Sequence, residues 1–231
     1  MPTDETNKTA GASGAVSKPV VIADDHPLFR AALSQAVSAA APGRAIIETS
    51  SLKEARSAIE NDAPGLLCLD LHMGDSDGFA GLVSFRQDWP SVPIAIVSGD
   101  ESQDVIRRAL AFGAAAFIPK SLDMAEIREA VEAVLDGDEW APRWYEEAGD
   151  DDASALADRL NSLTPTQLKV LLLVHQGLLN KQIAYELSIS EATVKAHLTA
   201  IFKKLEVQTR TQAVVAARAL VVDPVPATDD A

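Results

Sequence analysis

The chain has one cysteine, Cys68, and neither histidine nor a second cysteine stands near it at zinc-ligand spacing. That excludes an internal disulfide and a thiolate metal cluster, and a reducing compartment is expected. Long apolar stretches are missing too. Nothing approaches the roughly 20 residues that cross a bilayer, and the first 18 residues, MPTDETNKTAGASGAVSK, lack the apolar centre of an export signal. A cytoplasmic protein with no membrane partner is expected. Basic residues are scarce, 20 Lys and Arg against 34 Asp and Glu, for a formal net charge of −14. So acidic a chain argues against nucleic acid, whose phosphates favour cationic surfaces.

The distribution of that charge answers the objection. Residues 1–155 hold 12 basic and 27 acidic side chains, residues 156–222 hold 8 and 4, and residues 223–231 hold 3 acids and no base. An acidic body is followed by a basic module and a short acidic tail. With 231 residues, 47% of them hydrophobic, there is room for two globular domains.

Between Pro19 and Asp136, short apolar runs alternate with stretches of helical period. The runs are Val20–Ala23, Ala45–Glu48, Leu66–Leu69, Ile94–Val97 and Ala115–Ile118, almost uninterrupted, as in parallel strands buried on both faces. Five βα units of this size predict one doubly wound α/β domain, with its sites at the carboxyl edge of the sheet. Residues 137–157 mix Gly, Pro and acids without a clear period and read as a linker. Trp140, Trp144 and Tyr145 in it are expected to pack against a domain. Four short helical patterns follow within residues 158–222, too small a bundle for an enzyme pocket of its own. Residues 1–18 read as a disordered leader and 223–231 as a tail.

Asp24 and Asp25 follow the first predicted strand, and Asp70 ends the third. Carboxylates sharing one pocket at about 4 Å repel by about 4 kcal/mol at an effective dielectric of 20, which a bound cation relieves. Mg²⁺ suits hard oxygen ligands and keeps waters that a phosphoryl oxygen can replace. Ser98 and Lys120, at the next two strand ends, add a hydroxyl and an ammonium suited to a tetrahedral dianion. These parts fit in-line phosphoryl transfer onto Asp70, a carboxylate that needs no general base at pH 7.

The segments VIADDHPLFR (21–30), LCLDLHMGDSDG (67–78), IVSGD (96–100) and AAFIPKS (115–121) resemble the receiver domain of two-component response regulators. The resemblance covers residues 19–136 and implies a flavodoxin-like (βα)5 fold. It implies that Asp70 is the phospho-acceptor and that Asp25, Asp70 and the backbone carbonyl of His72 hold Mg²⁺, with Asp24 acting through water. Ser98 takes the place of the switch hydroxyl, Lys120 that of the phosphate-contacting lysine and Phe117 that of the switch aromatic. Gly74 replaces a usual proline, and Asp75 and Asp77 add charge to that loop. His72 and Asp100 stand where the family tunes phosphate lifetime, and His26 is expected only to begin the first helix.

In NKQIAYELSISEATVKAHLTAIFKKL (180–205), a short helix, a turn and a longer helix have apolar spacing that buries one face of each. That is a helix-turn-helix, whose second helix enters the major groove. Together with LTPTQLKVL (163–171) and KKLEVQTRTQA (203–213), it resembles the LuxR-type DNA-binding domain of the NarL/FixJ regulators. The match implies that Lys181 and Thr193 touch the backbone, that Lys195, Ala196 and Thr199 face the groove, and that His197 and Lys204 are scaffold and phosphate-side positions, while the charges of Lys203, Lys204 and Arg210 suit phosphates. Thr166, Gln167 and Lys169 depart from the family's usual Arg, Glu and Glu at the start of the first helix of this domain and put an internal ion pair in question, leaving the groove-facing helix intact. The resemblance implies that the apolar terminal helix, TQAVVAARALVV, is where dimers form, with packing inside the monomer as the competing account.

The expected protein is a transcription regulator. A sensor histidine kinase phosphorylates Asp70, and the change controls binding of a homodimer to double-stranded promoter DNA. Release of a receiver contact that hides helix 191–205 is one way for this to happen. The competing readings are a haloacid-dehalogenase-type phosphatase and a binding module that works without phosphate. The phosphatase would need a second Asp two residues after the nucleophile, where His72 stands.

Overall fold

The computed structural model describes residues 17–74, 78–146 and 151–222. The calls on residues 1–16 and 223–231, and on Asp75 and Asp77, therefore lie outside the described residues. The first half alternates strand and helix: β1 (Val20–Ala23), α1 (Pro27–Ala40), β2 (Ile46–Thr49), α2 (Leu52–Asn61), β3 (Leu66–Asp70), α3 (Phe79–Asp88), β4 (Ile94–Ser98), α4 (Gln103–Ala111), β5 (Ala116–Pro119) and α5 (Met124–Asp136). The second half is helical: α6 (Asp151–Asn161), α7 (Pro165–His175), α8 (Asn180–Glu186), α9 (Glu191–Leu205), α10 (Arg210–Ala217) and a 3-10 turn at Arg218–Leu220.

The five strands are parallel in the order β2-β1-β3-β4-β5. The period of two along each strand divides the interior. Val21, Ala23, Leu67 and Leu69 face the layer of α2, α3 and α4, whereas Val20, Ile22, Leu66 and Cys68 face α1 and α5. Leu33, Ala36 and Val37 of α1 pack there with Ile127, Ala130, Val131 and Val134 of α5. Each fully buried aliphatic side chain contributes about 1.5–3 kcal/mol, so strands buried on both faces are held firmly in register. In that register Ala23 pairs with Leu69, Asp70 with Val97, and Ser98 with Pro119. Asp24, Asp70, Ser98 and Lys120 therefore end level with one another.

Two segments differ from the sequence reading. Residues 151–161, taken there as aperiodic linker and domain start, form α6, whose Ala157 and Leu160 are buried. Isolated helical period is hard to read in DDASALADRLN because the apolar positions are few. Trp140 does pack against the sheet, and it also extends it: Phe117 N–H donates to the Trp140 carbonyl at 3.1 Å and Trp140 N–H to the Ala115 carbonyl at 3.0 Å. The linker thus covers the β5 edge, which would otherwise expose unpaired backbone groups.

The helical half folds around Leu168, Leu171, Val194, Leu198, Ile201 and Leu205, which belong to the same continuous apolar cluster as the α2–α4 layer of the sheet. α7 begins with a capping box, Thr164 and Gln167 satisfying each other's backbone N–H groups. α9 is capped by Ser190, whose Oγ accepts from Thr193 N–H at 3.0 Å.

Candidate functional site

The strand order places a topological switch between β1 and β3, where open parallel sheets form their binding crevice. Asp24 and Asp70 flank that point, each 1% exposed. Lys120 Nζ donates to Asp70 Oδ2 at 2.8 Å and lies 2.8 Å from Asp24 Oδ2. Only the first contact has hydrogen-bond geometry, so Asp24 Oδ2 is a buried oxygen without a hydrogen-bond donor. The remaining carboxylate oxygens are held by backbone: His26 N–H donates to Asp24 Oδ1 at 2.7 Å and His72 N–H to Asp70 Oδ1 at 3.0 Å. Asp25 is partly exposed at the mouth. Ser98 is fully buried, its Oγ accepting from Asp100 N–H at 3.1 Å. Phe117 is fully buried below, within the sheet layer.

Burial pushes the Asp70 carboxyl above the ordinary carboxylate range and outweighs the opposing pull of Lys120 and the His72 N–H, with the charge of Asp24 adding to the rise. Two desolvated carboxylates and a third at the rim face a single ammonium, so the pocket retains negative charge. Ligand atoms of Asp24, Asp25, His26 and Asp70 all lie within 4.8 Å of one another. This donor set, three carboxylates around one mouth, is compatible with Mg²⁺. An anionic oxygen of Asp70 beside a fixed ammonium can attack an electrophilic phosphorus, and the ammonium can then hold the charge that develops.

A second candidate surface lies on α9. Val194, Leu198, Ile201 and Leu205 bury one side of the helix, leaving Thr193, Lys195, Ala196, Thr199 and Lys203 exposed. Lys195, Thr199 and Lys203 follow at intervals of four, so they share one face. Lys181 is exposed on α8.

Residues 20–132 match the response regulator receiver domain and residues 161–217 the luxR family of bacterial regulatory proteins. The glycerol metabolism activator of Pseudomonas putida is 38% identical over 207 residues, covering 86% of this chain and 94% of that protein. Response regulator protein VraR of Staphylococcus aureus is 30% identical over 196 residues, covering 85% and 94%. The chain is a response regulator of the NarL/FixJ family. The fold agrees with that of the RcsB response regulator of Salmonella typhimurium, at a TM-score of 0.52 and 20% identity, covering 88% of this chain and 98% of that one. This family consists of DNA-binding transcription regulators rather than enzymes, which sets the phosphatase reading aside. No helix among the described residues is long and apolar enough to cross a membrane.

The regulator's structure redistributes some of the basic residues. Lys204 Nζ donates to the Ser162 carbonyl at 2.6 Å and to Gln167 Oε1 at 2.9 Å. A neutral amide thus takes the place of the family's glutamate and the contact survives, but Lys204 spends its donors inside the domain. Arg210 likewise donates to Asn180 Oδ1 and the Leu178 carbonyl, pinning the start of α8. Both hold the scaffold of α8 and α9. The outward residues of α9 are exposed, and the receiver packs on α6, α7 and the 3-10 turn rather than over that face.

Sequence reasoning undervalued three residues. His26 is not merely a helix start: its Nδ1 lies 2.7 Å from Asp25 Oδ1 and 3.8 Å from Asp70 Oδ2, over the mouth of the pocket. Arg30 donates to the Asp24 carbonyl at 2.6 Å and fixes the β1 turn. Tyr185 is 87% exposed on α8, four residues after Lys181 and on the same face. That spacing was the available signal for Tyr185; for His26 it was only adjacency to Asp24 and Asp25.

Proposed function

We propose that Asp70 is the phospho-acceptor of this response regulator and that the exposed face of α9 reads promoter DNA. One observation carries the first part: Lys120 Nζ stands 2.8 Å from both buried carboxylates at a strand edge that also holds Ser98. An Asp70 oxygen attacks the phosphorus of a kinase phosphohistidine. The new P–O bond forms as the P–N bond breaks, and the imidazole leaves with the electron pair and takes up a proton. Lys120 then pairs with the phosphoryl oxygens, and the Ser98 hydroxyl turns toward them. Asp25, Asp70 and the His72 carbonyl, with Asp24 through water, would hold Mg²⁺, which when bound neutralises the equatorial phosphoryl oxygens. Phe117 responds by packing, since it has no hydroxyl.

In the output domain, Lys195, Ala196 and Thr199 meet base edges, while Lys181, Thr193 and Lys203 meet the backbone. The chain divides into a receiver (19–136), a linker from residue 137, and a DNA-binding domain that opens with α6 (Asp151–Asn161) and runs to residue 222. A homodimer in the cytoplasm, set by a histidine kinase, acts on double-stranded promoter DNA. The deciding test compares wild type and Asp70→Asn in a DNA shift assay with Mg²⁺ and a small-molecule phosphodonor. Wild type is expected to bind more tightly on adding donor, and the variant not to respond. A variant that responds like wild type would falsify the reading.

A further inference from the structure

Among the described residues, three groups stand around the ammonium of Lys120, and phosphoryl transfer onto Asp70 accounts for two of them. Nζ lies 2.8 Å from Asp70 Oδ2 and 2.8 Å from Asp24 Oδ2. The third is an aromatic face. Nζ stands 4.9 Å from the centre of the Phe29 ring, inside the roughly 6 Å at which the negative face of a ring attracts a cation. The Lys120 side chain is 18% exposed, so water screens that attraction only weakly.

The first turn of α1 delivers the ring to this place. His26 N–H donates to Asp24 Oδ1 at 2.7 Å and Arg30 to the Asp24 carbonyl at 2.6 Å, which ties the start of the helix to the end of β1. Phe29 opens the stripe that continues through Leu33, Ala36 and Val37 on one face of α1. It is partly buried against that cluster, whereas the neighbouring Leu28 is 90% exposed. The side chain therefore starts in the packed layer under α1 and ends at the mouth of the pocket.

Lys120 needs such a neighbour. Its N–H donates to the Ser98 carbonyl at 2.8 Å, which fixes the backbone, but a flexible four-carbon stem separates that backbone from the charge. The carboxylate that accepts from Nζ is also the one the reaction consumes, since an Asp70 oxygen forms the new P–O bond and Asp70 loses its own negative charge. The Phe29 ring is unchanged by that step. It keeps the ammonium over the mouth while a carboxylate partner is exchanged for phosphoryl oxygens. A leucine fills similar space but has no negative face to offer.

We propose that Phe29 is a positioning residue for phosphoryl transfer, its ring face holding the Lys120 ammonium between the buried carboxylates and the incoming phosphoryl group. The proposal rests on Asp70 being the acceptor, and its test keeps the two separable.

Two readouts on the full-length chain decide it, with melting temperatures as the check that each variant is folded. The first needs no phosphorylation. In protein carrying isotope-labelled lysine, the methylene beside the Lys120 ammonium is shielded by the ring; its proton signal, identified by its loss in Lys120→Ala, is expected to move downfield in Phe29→Leu. The second is the single-turnover rate of phosphate incorporation from a small-molecule phosphodonor with Mg²⁺. Phe29→Leu is expected to slow it about three- to tenfold, the scale of one partly desolvated cation–π contact. Mono-, di- and trifluorinated phenylalanine at position 29 keep the shape of the ring and drain its negative face. They are expected to slow the rate in graded steps toward the leucine value, and they carry the test should Phe29→Leu not fold. In a Lys120→Ala background the same replacements are expected to change nothing. A proton signal that stays in place in folded Phe29→Leu overturns the contact. A rate indifferent to fluorination, or lowered equally by Phe29→Leu with and without Lys120, overturns positioning and leaves the ring as packing alone. Incorporation by Asp70→Asn at the wild-type rate overturns the acceptor assignment, while the proton signal still decides the contact.

Discussion

The two halves of this regulator put their polar groups in opposite places. Of the five buried polar or charged residues among those described, Asp24, Thr49, Asp70 and Ser98 lie in the receiver at or beside the carboxyl ends of neighbouring strands, and Gln167 lies in the DNA-binding domain. The receiver therefore does its chemistry with desolvated groups, each dependent on the others and each costly to leave unpaired. The DNA-binding domain instead uses the half-buried Lys204 and Arg210 as props and offers Lys181, Lys195 and Lys203 to solvent. A buried cluster is suited to an all-or-none covalent event. An exposed face is suited to many contacts of similar size that add.

The largest expected effect tests the buried side of that contrast. Lys120→Ala leaves Asp24 and Asp70 facing each other without their shared cation. Phosphorylation of Asp70 by a phosphodonor should slow by about 10²- to 10³-fold, the usual loss on removing one preorganised charge-stabilising donor. Single-turnover phosphate incorporation measures it. A loss below tenfold would mean that the ammonium is not an essential partner of the phosphoryl group.

On the exposed side the losses should be smaller and graded. Lys195→Ala is expected to cost about 1–3 kcal/mol at the preferred site and to relax sequence preference. Lys203→Ala should weaken binding to all sequences alike and reduce the slope of log affinity against log salt by about one. Lys204→Ala, by contrast, should lower thermal stability and leave the salt slope nearly unchanged, because its ammonium bonds Ser162 and Gln167. Salt titrations of fluorescence anisotropy separate the three. An unchanged slope in Lys203→Ala together with a reduced one in Lys204→Ala would invert the assignment of contact and prop.

The strand-end site was legible in the sequence because parallel strands buried on both faces read as short apolar runs, and the residue after each run falls at one sheet edge. Asp24, Asp70 and Ser98 needed no more than that, and Lys120 lies one residue further on. The helix-turn-helix was legible through its apolar period alone. What escaped depended on side-chain direction or on contacts distant in the chain. Nothing local in residues 203–210 names the partners of Lys204; those depend on where Ser162 and Gln167 lie in the fold. α6 and the bridge of Trp140 to β5 were missed for a related reason, since both are stabilised by surfaces that residues 137–161 do not themselves contain. Arg108 of α4 donates to the carbonyls of Ala219 and Val221, positions 111 and 113 further along the chain, beyond any pattern of period or spacing.

The smallest expected effect measures what the buried arrangement costs the receiver. Burial holds the Asp70 carboxyl above the ordinary carboxylate range in the folded chain, whereas in the unfolded chain it titrates within that range. Between those two values the folded state binds more protons than the unfolded one. Stability therefore falls as pH rises through the window, and above it the ionised group is a net cost. Asp70→Asn keeps the shape and an acceptor for Lys120 but removes the charge. Without added Mg²⁺, it should stabilise the chain at neutral pH by about 1 kcal/mol, or about 2–4 °C in Tm for a chain of this size. That gain should shrink as pH falls through the window and vanish below the ordinary carboxylate range, where both forms are neutral. Cys68 provides a probe confined to the receiver: its thiol is fully buried and burial pushes its pKa up to about 12, so a thiol reagent reaches it only when β3 opens. Labelling rates of Cys68 in the two proteins across this pH range therefore report the difference for the receiver alone. Equal rates at neutral pH would mean that Lys120 and the His72 N–H already offset the desolvation of Asp70.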